Sequence, residues 1–101
     1  MNIGITAQRL ASLGHEKRLE LFLVLFRAGR EGLTVGDLQS ALDCPPSTLA
    51  FHLRELVSAG LVRQSKEGRS VRSFACYEVL DDMVKFLTVN CCTSGTKKAS
   101  S

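Results

Sequence analysis

Two consecutive prolines followed by a short amphipathic segment constrain this chain more than any other feature. Pro45 and Pro46 can open a helix but cannot lie inside one. Apolar residues then recur at helical spacing, and Leu49, Leu53 and Leu56 share one face of the predicted helix. Small, polar and basic residues fall on the opposite face. The sequence therefore predicts a helix that is anchored along one side and presents the other side outward.

A predicted β-hairpin follows this helix without a linker. Gly60 ends the helix, residues 61–65 and 70–77 have the character of strands, and residues 66–69 form a turn with Gly68 where a positive φ is wanted. The region is locally basic, although the whole chain carries a net charge of only +3. A basic stripe beside a helix is suited to phosphate contact, and an ordinary solvated surface is the alternative. The charged residues of the stripe are Arg54, Arg63, Lys66, Arg69 and Arg72, against Glu55 and Glu67.

Helical spacing of apolar residues predicts four further helices. Thr34 and Asp37 fit a capping box at the start of the third helix, after a loop at residues 30–33, and Ser47 and Thr48 offer capping hydroxyls to the fourth. The second helix carries enough apolar residues to be buried on most sides. The last helix carries more than a lone terminal helix needs, so we expect it to pair with the first helix and with a second copy of itself. The four helices are predicted at residues 5–13, 15–28 and 35–42 and from residue 78 onward.

Length and composition fit one small domain. The chain has 101 residues, 45% of them hydrophobic, which is enough for a single core. No apolar run approaches the ~20 residues that span a bilayer, and residues 1–8 lack the basic start and apolar segment of a signal peptide. We therefore expect a cytoplasmic protein that does not associate with membranes and whose cysteines are reduced.

Three segments together resemble the ArsR/SmtB-type winged helix-turn-helix repressors. They are LGHEKRLELFLVL at 13–25, STLAFHLRELVSAGLV at 47–62 and KEGRSVRSFACY at 66–77, and the resemblance covers roughly residues 6–92. It implies a mainly α fold with a small β-hairpin (α+β), a homodimer through the first and last helices, and binding to an inverted repeat in a double-stranded DNA operator. It also implies that a bound metal ion, metalloid or oxidant lowers DNA affinity. We therefore expect residues 1–92 to form a DNA-binding and dimerisation domain, and residues 93–101 a flexible polar tail.

The outward face of the fourth helix and the hairpin supply the candidate DNA contacts. Ser47 and Thr48 at the helix N-terminus suit phosphate or base-edge contacts, and Phe51 can touch a thymine methyl group. Family members often have Ser-His where this chain has Ala50-Phe51, so the operator sequence does not follow from the resemblance. His52 is either a base contact or a partly buried helix residue. The basic candidates are Arg54 for a phosphate or a base, and Lys66, Arg69 and Arg72 for contacts of the wing.

Two metal sites found in this family have no counterpart in the sequence. Arsenic-responsive members often carry Cys-x-Cys at the start of the helix-turn-helix, where residues 34–37 of this chain read Thr-Val-Gly-Asp. Zinc-responsive members place Asp and His ligands along the last helix, where this chain offers Asp81 and Asp82 but no histidine. Both aspartates are expected to be ordinary surface acids.

The adjacent thiols Cys91 and Cys92 are the candidate inducer site. Soft thiolates favour thiophilic centres, and some relatives bind arsenite through a Cys-Cys pair at this position. The resemblance therefore implies As(III), Sb(III) or an organic trivalent arsenical as the inducer, and no permanently bound cofactor. Cys76 or Cys44 is the candidate third ligand. A single helix would hold Cys76 about 22 Å from Cys91, so that thiol would have to come from the partner in an antiparallel helix pair.

Three other functions are weighed against this one. A redox- or sulfide-responsive repressor of the same fold would use cysteine oxidation, with Cys44 or Cys76 acting together with the vicinal pair. A winged-helix module that binds protein instead of DNA is disfavoured by the basic stripe. A thiol enzyme, such as an arsenate reductase, is disfavoured because no anion-binding loop with a nucleophilic cysteine lies near the N-terminus. We therefore expect a repressor that is not an enzyme.

Overall fold

A computed structural model describes residues 2–91 of the chain, except the side chains of residues 90 and 91. Within that range, five α-helices and a short 3₁₀ turn accompany one antiparallel sheet with the strand order β1-β3-β2. This is the predicted α+β winged helix-turn-helix. Cys92 and the predicted tail at residues 93–101 lie outside the described residues. The elements are α1 (Ile3–Leu13), α2 (Glu16–Ala28), β1 (Leu33–Thr34), α3 (Val35–Ala41), α4 (Pro46–Ser58), β2 (Val62–Glu67), β3 (Ser70–Ala75) and α5 (Tyr77–Cys91), with the 3₁₀ turn at Gly29–Glu31.

Local side-chain caps set where the helices begin. The side chain of Asn2 accepts a hydrogen bond from the backbone N–H of Ile5 at 2.8 Å, which starts α1 two residues earlier than predicted. Thr34 and Asp37 form the predicted capping box of α3, in both directions. The capping role predicted for Ser47 and Thr48 is wrong, because Pro45 is the N-cap of α4 and both hydroxyl residues follow it inside the first turn.

A 3₁₀ turn and the start of a short strand take up most of the loop predicted at residues 30–33. β1 pairs with β3, with Leu33 opposite Ser73 and Thr34 opposite Arg72. Two residues are too few to show strand periodicity, so this pairing depends on β3 and not on the local sequence. Gly32 enters the strand with a φ of 66°, and a Cβ there would clash with the carbonyl oxygen of Ser73 and lie 2.6 Å from the ring of Phe74. Only glycine permits this close approach.

The turn of the hairpin is tighter than predicted, because the first strand extends to Glu67. Glu67 pairs with Ser70, so the strands leave only Gly68 and Arg69 as a two-residue turn. Gly68 has a φ of 62°, as such turns require. β3 ends at Ala75 and α5 begins at Tyr77, one residue before its predicted start.

The core lies between α2, α4 and the sheet. Leu21, Phe22 and Leu25 of α2 are fully buried, which confirms that this helix is central. The expectation that it is buried on most sides is wrong, because Leu19 and Leu23 are 40% and 37% exposed. The other buried apolar residues are Leu38, Leu42, Leu49, Leu53, Leu56, Ala59, Leu61, Val62, Ala75 and Met83.

Apolar faces of α1 and of α5 remain uncovered in the single chain. Ile3 of α1 is 78% exposed, and Val84, Leu87 and Val89 of α5 are between 46% and 62% exposed. Leu10 adds to the face on α1. Apolar side chains grouped in this way are typical of a surface that another chain covers. Among the described residues, no helix is both long and apolar enough to cross a membrane.

Candidate nucleic-acid interface

Helix α4 is anchored by its predicted leucine face. Leu49, Leu53 and Leu56 are almost completely buried, and they hold the helix against α2 and the sheet. The opposite face is open to solvent, and its N-terminal half is formed by Ser47, Ala50, Phe51 and Arg54. We call this set the reading face. A large apolar ring that is 45% exposed, as Phe51 is, suits contact with a thymine methyl group.

The hairpin of β2 and β3, which we call the wing, exposes two of the predicted basic residues and holds the third in hydrogen bonds. Lys66 in β2 and Arg69 in the turn are exposed. Arg72, in contrast, donates from Nε to a carboxylate oxygen of Glu67 at 3.1 Å and from Nη1 to the carbonyl oxygen of Glu31 at 3.2 Å. The guanidinium of Arg72 therefore fastens the chain before β1 to the wing. These bonds disfavour the DNA contact that the sequence predicts for Arg72.

A cleft separates the reading face from the wing. It has a volume of about 250 Å³, and its walls include Pro46, Ala50 and Arg54 of α4 together with Gln64 and Val71 of the wing. Gln64 is held in place because its Nε2 donates to the hydroxyl of Ser73 at 3.1 Å. The position of Arg54 in the cleft wall places a cation between the helix and the hairpin. This geometry fits a nucleic-acid backbone that passes between a helix in one groove and a wing beside it.

His52 does not belong to the reading face. It is only 5% exposed, and its Nδ1 accepts a hydrogen bond from Nε of Arg18 at 3.4 Å. Its ring lies 4.7 Å from the ring of His15. Burial, and then the charge of Arg18, lowers the pKa of His52. Of the two alternatives that the sequence leaves open for His52, the structure thus favours the buried helix residue.

Two arginine–aromatic contacts stabilise this surface, one at the reading face and one in the wing. The guanidinium of Arg18 lies 5.6 Å from the centre of the Phe51 ring, and that of Arg63 lies 4.4 Å from the centre of the Phe74 ring. Sequence reasoning misses Arg18, because it is 33 positions away from Phe51 and no local pattern joins α2 to α4. Arg63 is visible in the sequence only as a charge of the stripe. Cation–π contacts of this kind restrict both partners.

The two thiols that the structure describes are not part of the reading face. Cys44 and Cys76 are both half-buried, and Cys44 packs against the core in the turn before α4. The backbone of Cys76 joins the sheet to α5, because its N–H donates to the carbonyl oxygen of Leu61 at 2.9 Å and its own carbonyl accepts from the N–H of Val79. Burial raises the pKa of the Cys76 thiol, which disfavours the thiolate.

The predicted inducer site is not part of the described side chains. Cys91 is the last residue of α5, and only its backbone is described. Cys92 lies outside the described residues. Among the side chains that the structure describes, no three His, Cys, Asp or Glu groups come together as metal ligands. The Nζ of Lys85 lies 3.0 Å from a carboxylate oxygen of Asp81 at the surface.

Comparison with known proteins gives a family and a set of structural relatives. The helix-turn-helix domain family matches residues 13–65. No curated protein matches the sequence significantly. An ArsR-like transcriptional regulator from Rhodococcus sp. RHA1 is 27% identical, with a TM-score of 0.75 over 91% of this chain and 82% of that chain. HlyU from Vibrio cholerae is 28% identical, with a TM-score of 0.69 over 87% and 94%.

A third relative shows the fold alone. The homodimeric winged helix-turn-helix DNA-binding domain of a possible ArsR-family regulator from Mycobacterium bovis is 19% identical. Its TM-score is 0.70, and the match covers 98% of this chain and 90% of that chain. The likeness supports the winged helix-turn-helix fold of this chain.

Proposed function

The chain belongs to the helix-turn-helix domain family, and from that premise we propose that it is a dimeric transcriptional repressor of the ArsR type. It binds an inverted-repeat operator in double-stranded DNA. The observation that carries this proposal is the reading face of α4 beside the exposed Lys66 and Arg69 of the wing, with Arg54 in the cleft between them. A helix anchored on one side and exposed on the other is suited to the major groove.

Dimerisation follows from the uncovered apolar faces of α1 and α5. An inverted repeat requires two reading helices related by a twofold axis, and half-sites are spaced by about one helical turn, ~34 Å. The exposed side chains Ile3 and Leu10 of α1 and Val84 and Leu87 of α5 would be buried between two copies. The homodimeric Mycobacterium bovis domain with the same fold supports this assembly.

The proposed inducer is trivalent arsenic or antimony, inorganic or organic, bound by the thiolates of Cys91 and Cys92. Two adjacent thiols satisfy an organic trivalent arsenical, whereas an inorganic centre favours a third sulfur ligand. Because α5 runs without a break from Tyr77 to Cys91, Cys76 lies about 22 Å from Cys91 in the same chain at ~1.5 Å per residue. A third thiol from Cys76 would therefore have to belong to the other subunit.

A redox- or sulfide-responsive repressor of the same fold is the second candidate. The likeness to HlyU favours it, since one solved structure of that protein is described as the reduced form. Sensor cysteines need thiolate character. The raised pKa of the Cys76 thiol makes it a poor sensor, so an oxidation mechanism would depend on Cys44 or on the vicinal pair.

An anisotropy titration separates the two candidates. The reduced protein is bound to a labelled operator that has been selected from random duplexes, and arsenite, antimonite, phenylarsenite, zinc, sulfide and hydrogen peroxide are added separately. Release by trivalent arsenicals or antimonite that is lost in the double variant Cys91→Ser/Cys92→Ser supports the proposal, and Cys44→Ser is the matched thiol control. Release by peroxide or sulfide alone would establish the second candidate. A protein that selects no duplex at all would contradict both.

A further inference from the structure

A polar groove lies between α1, α2 and the C-terminal half of α4. Its volume is about 290 Å³. Gln8 and Ser12 of α1 line one side, Glu55 and Ser58 of α4 line the other, and Arg18 of α2 contributes to the wall. None of these five residues is part of the reading face or of the proposed inducer site. The groove therefore needs an explanation of its own.

Ser12, in the wall of this groove, carries a buried and unsatisfied hydroxyl. The residue is 8% exposed, and its Oγ has no hydrogen-bond partner within the part of the chain that the structure describes. Burying a hydroxyl without a partner is unfavourable. A buried hydroxyl beside a cavity that is large enough for a small molecule can obtain its partner from a ligand when its side chain turns toward that cavity.

Arg18 adds a buried positive charge. It is 9% exposed, its Nε donates to Nδ1 of His52 at 3.4 Å, and its Nη1 donates to the backbone carbonyl of Ser12 at 3.2 Å. These bonds use two of the five N–H donors of a guanidinium. Among the described residues, no carboxylate oxygen lies within 4.0 Å of its nitrogens. A desolvated cation without a counter-ion favours the binding of an anion.

We propose that this groove binds a small organic carboxylate that also carries a hydrogen-bond donor, such as an α-amino or α-hydroxy acid. The carboxylate oxygens accept from the remaining donors of Arg18 and from the hydroxyl of Ser12, which are charge-assisted bonds. Glu55 accepts from the amino or hydroxyl group of the ligand, and so selects against simple anions. The volume of about 290 Å³ limits the ligand to a small metabolite.

The groove stays open in the proposed dimer. Around a helix, successive residues are ~100° apart, so Ser12 lies about 200° from Leu10 on α1, whereas Ile3 and Leu10 lie on nearly the same side. The partner subunit that covers Ile3 and Leu10 therefore leaves the side of Ser12 accessible. A ligand in the groove would contact both α1 and α4, the helices that set dimer geometry and DNA reading.

Thermal shift and isothermal titration on the reduced full-length protein test this site. The probes are L-serine, L-malate, acetate and inorganic phosphate. We expect serine or malate to bind and to raise the melting temperature more than acetate or phosphate. Ser12→Ala should weaken that binding by at least about tenfold, while the unliganded variant melts at the same temperature or higher because an unsatisfied hydroxyl has been removed.

Two further variants complete the design. Arg18→Met should abolish binding. Lys17→Met is the matched control that should retain it, because Lys17 lies in the same turn of α2 and its ammonium lies 3.4 Å from a carboxylate oxygen of Glu20 at the surface. Ser12→Ala keeps the test decisive if Arg18→Met fails to fold. The proposal is wrong if no probe binds the wild type, or if binding survives Ser12→Ala unchanged. It is also wrong if Arg18→Met changes only the salt dependence of operator binding, since the groove would then hold a DNA phosphate.

Discussion

The wing gives a quantitative prediction for DNA affinity, because the structure distinguishes exposed cations from a cation that is held by an ion pair and a hydrogen bond. Lys66 and Arg69 are exposed near the tip, whereas Arg72 is engaged by Glu67 and by the carbonyl of Glu31. If the wing lies on the phosphate backbone, the first two neutralise phosphates and the third does not. The double variant Lys66→Ala/Arg69→Ala should therefore bind operator with a weaker salt dependence, and Arg72→Ala should not.

The magnitude follows from counterion release. Each phosphate contact contributes about 0.9 to the slope of log K against log salt concentration. A dimer carries two copies of each residue, so the double variant loses four contacts and the slope falls by about 3.6. Between 50 and 200 mM salt, the wild type should consequently lose about 150-fold more affinity than the variant loses.

Fluorescence anisotropy at five or six salt concentrations measures these slopes directly. Arg27→Ala, a change of an exposed cation on α2, controls for the loss of net charge. Arg72→Ala should lower thermal stability while leaving the slope unchanged, because the ion pair of Arg72 with Glu67 and its bond to the carbonyl of Glu31 hold the wing in place. An unchanged slope in the double variant, or an equal loss in Arg27→Ala, would refute the assignment of the wing to the DNA backbone.

Three further predictions concern the scaffold of the reading face, and urea denaturation measures each. Gly32→Ala should lower the free energy of unfolding by ~1–3 kcal/mol or more, because its φ of 66° is strained for alanine and its Cβ would meet the ring of Phe74; wild-type stability in this variant would contradict the packing of β1. Tyr77→Phe should cost ~1 kcal/mol, since it removes a 2.9 Å bond from the phenol to the carbonyl oxygen of Phe26; no loss would mean that water replaces the bond. Backbone and hydroxyl bonds from the N-cap residue of α3 hold the pKa of Asp37 below its ordinary 3.8. The stability that Asp37 contributes is therefore present above pH 3.8 and is lost as pH falls through the lower folded pKa, and Asp37→Asn should remove this part of the pH dependence.

The features that the sequence predicts well are the ones that neighbouring residues determine. The capping box of Thr34 and Asp37 needs residues three apart, and the leucine face of α4 needs a period of 3.6, so both are visible in the sequence. Pro45 and Gly60 likewise mark the ends of α4 through their own backbone preferences. Local patterns of this kind are therefore sufficient to locate the reading face.

The errors concern contacts between residues far apart in the chain. His52 is the exception, because it lies on the leucine face of α4 between Leu49 and Leu53, and helical spacing alone places it inward. Arg72 has the sequence pattern of a DNA contact, but its partners include a carbonyl 41 positions away. β1 exists only because β3 pairs with it. Which basic or polar residue faces outward is decided by such tertiary contacts, and no local pattern records them.

Helix α1 limits how any inducer can act on the proposed repressor. Nε of Arg9 donates to the carbonyl oxygen of Ala59 at 3.0 Å, at the C-terminus of the reading helix, so α1 and α4 are fastened within one subunit. Leu10, the next residue, belongs to the uncovered apolar face of α1. A ligand that shifts α1 against the partner subunit therefore carries α4 with it, and the separation of the two reading helices changes. Operator half-sites are spaced by ~34 Å, so such a shift lowers DNA affinity. The shifted arrangement persists only if the inducer binds the DNA-free repressor more tightly than the DNA-bound repressor.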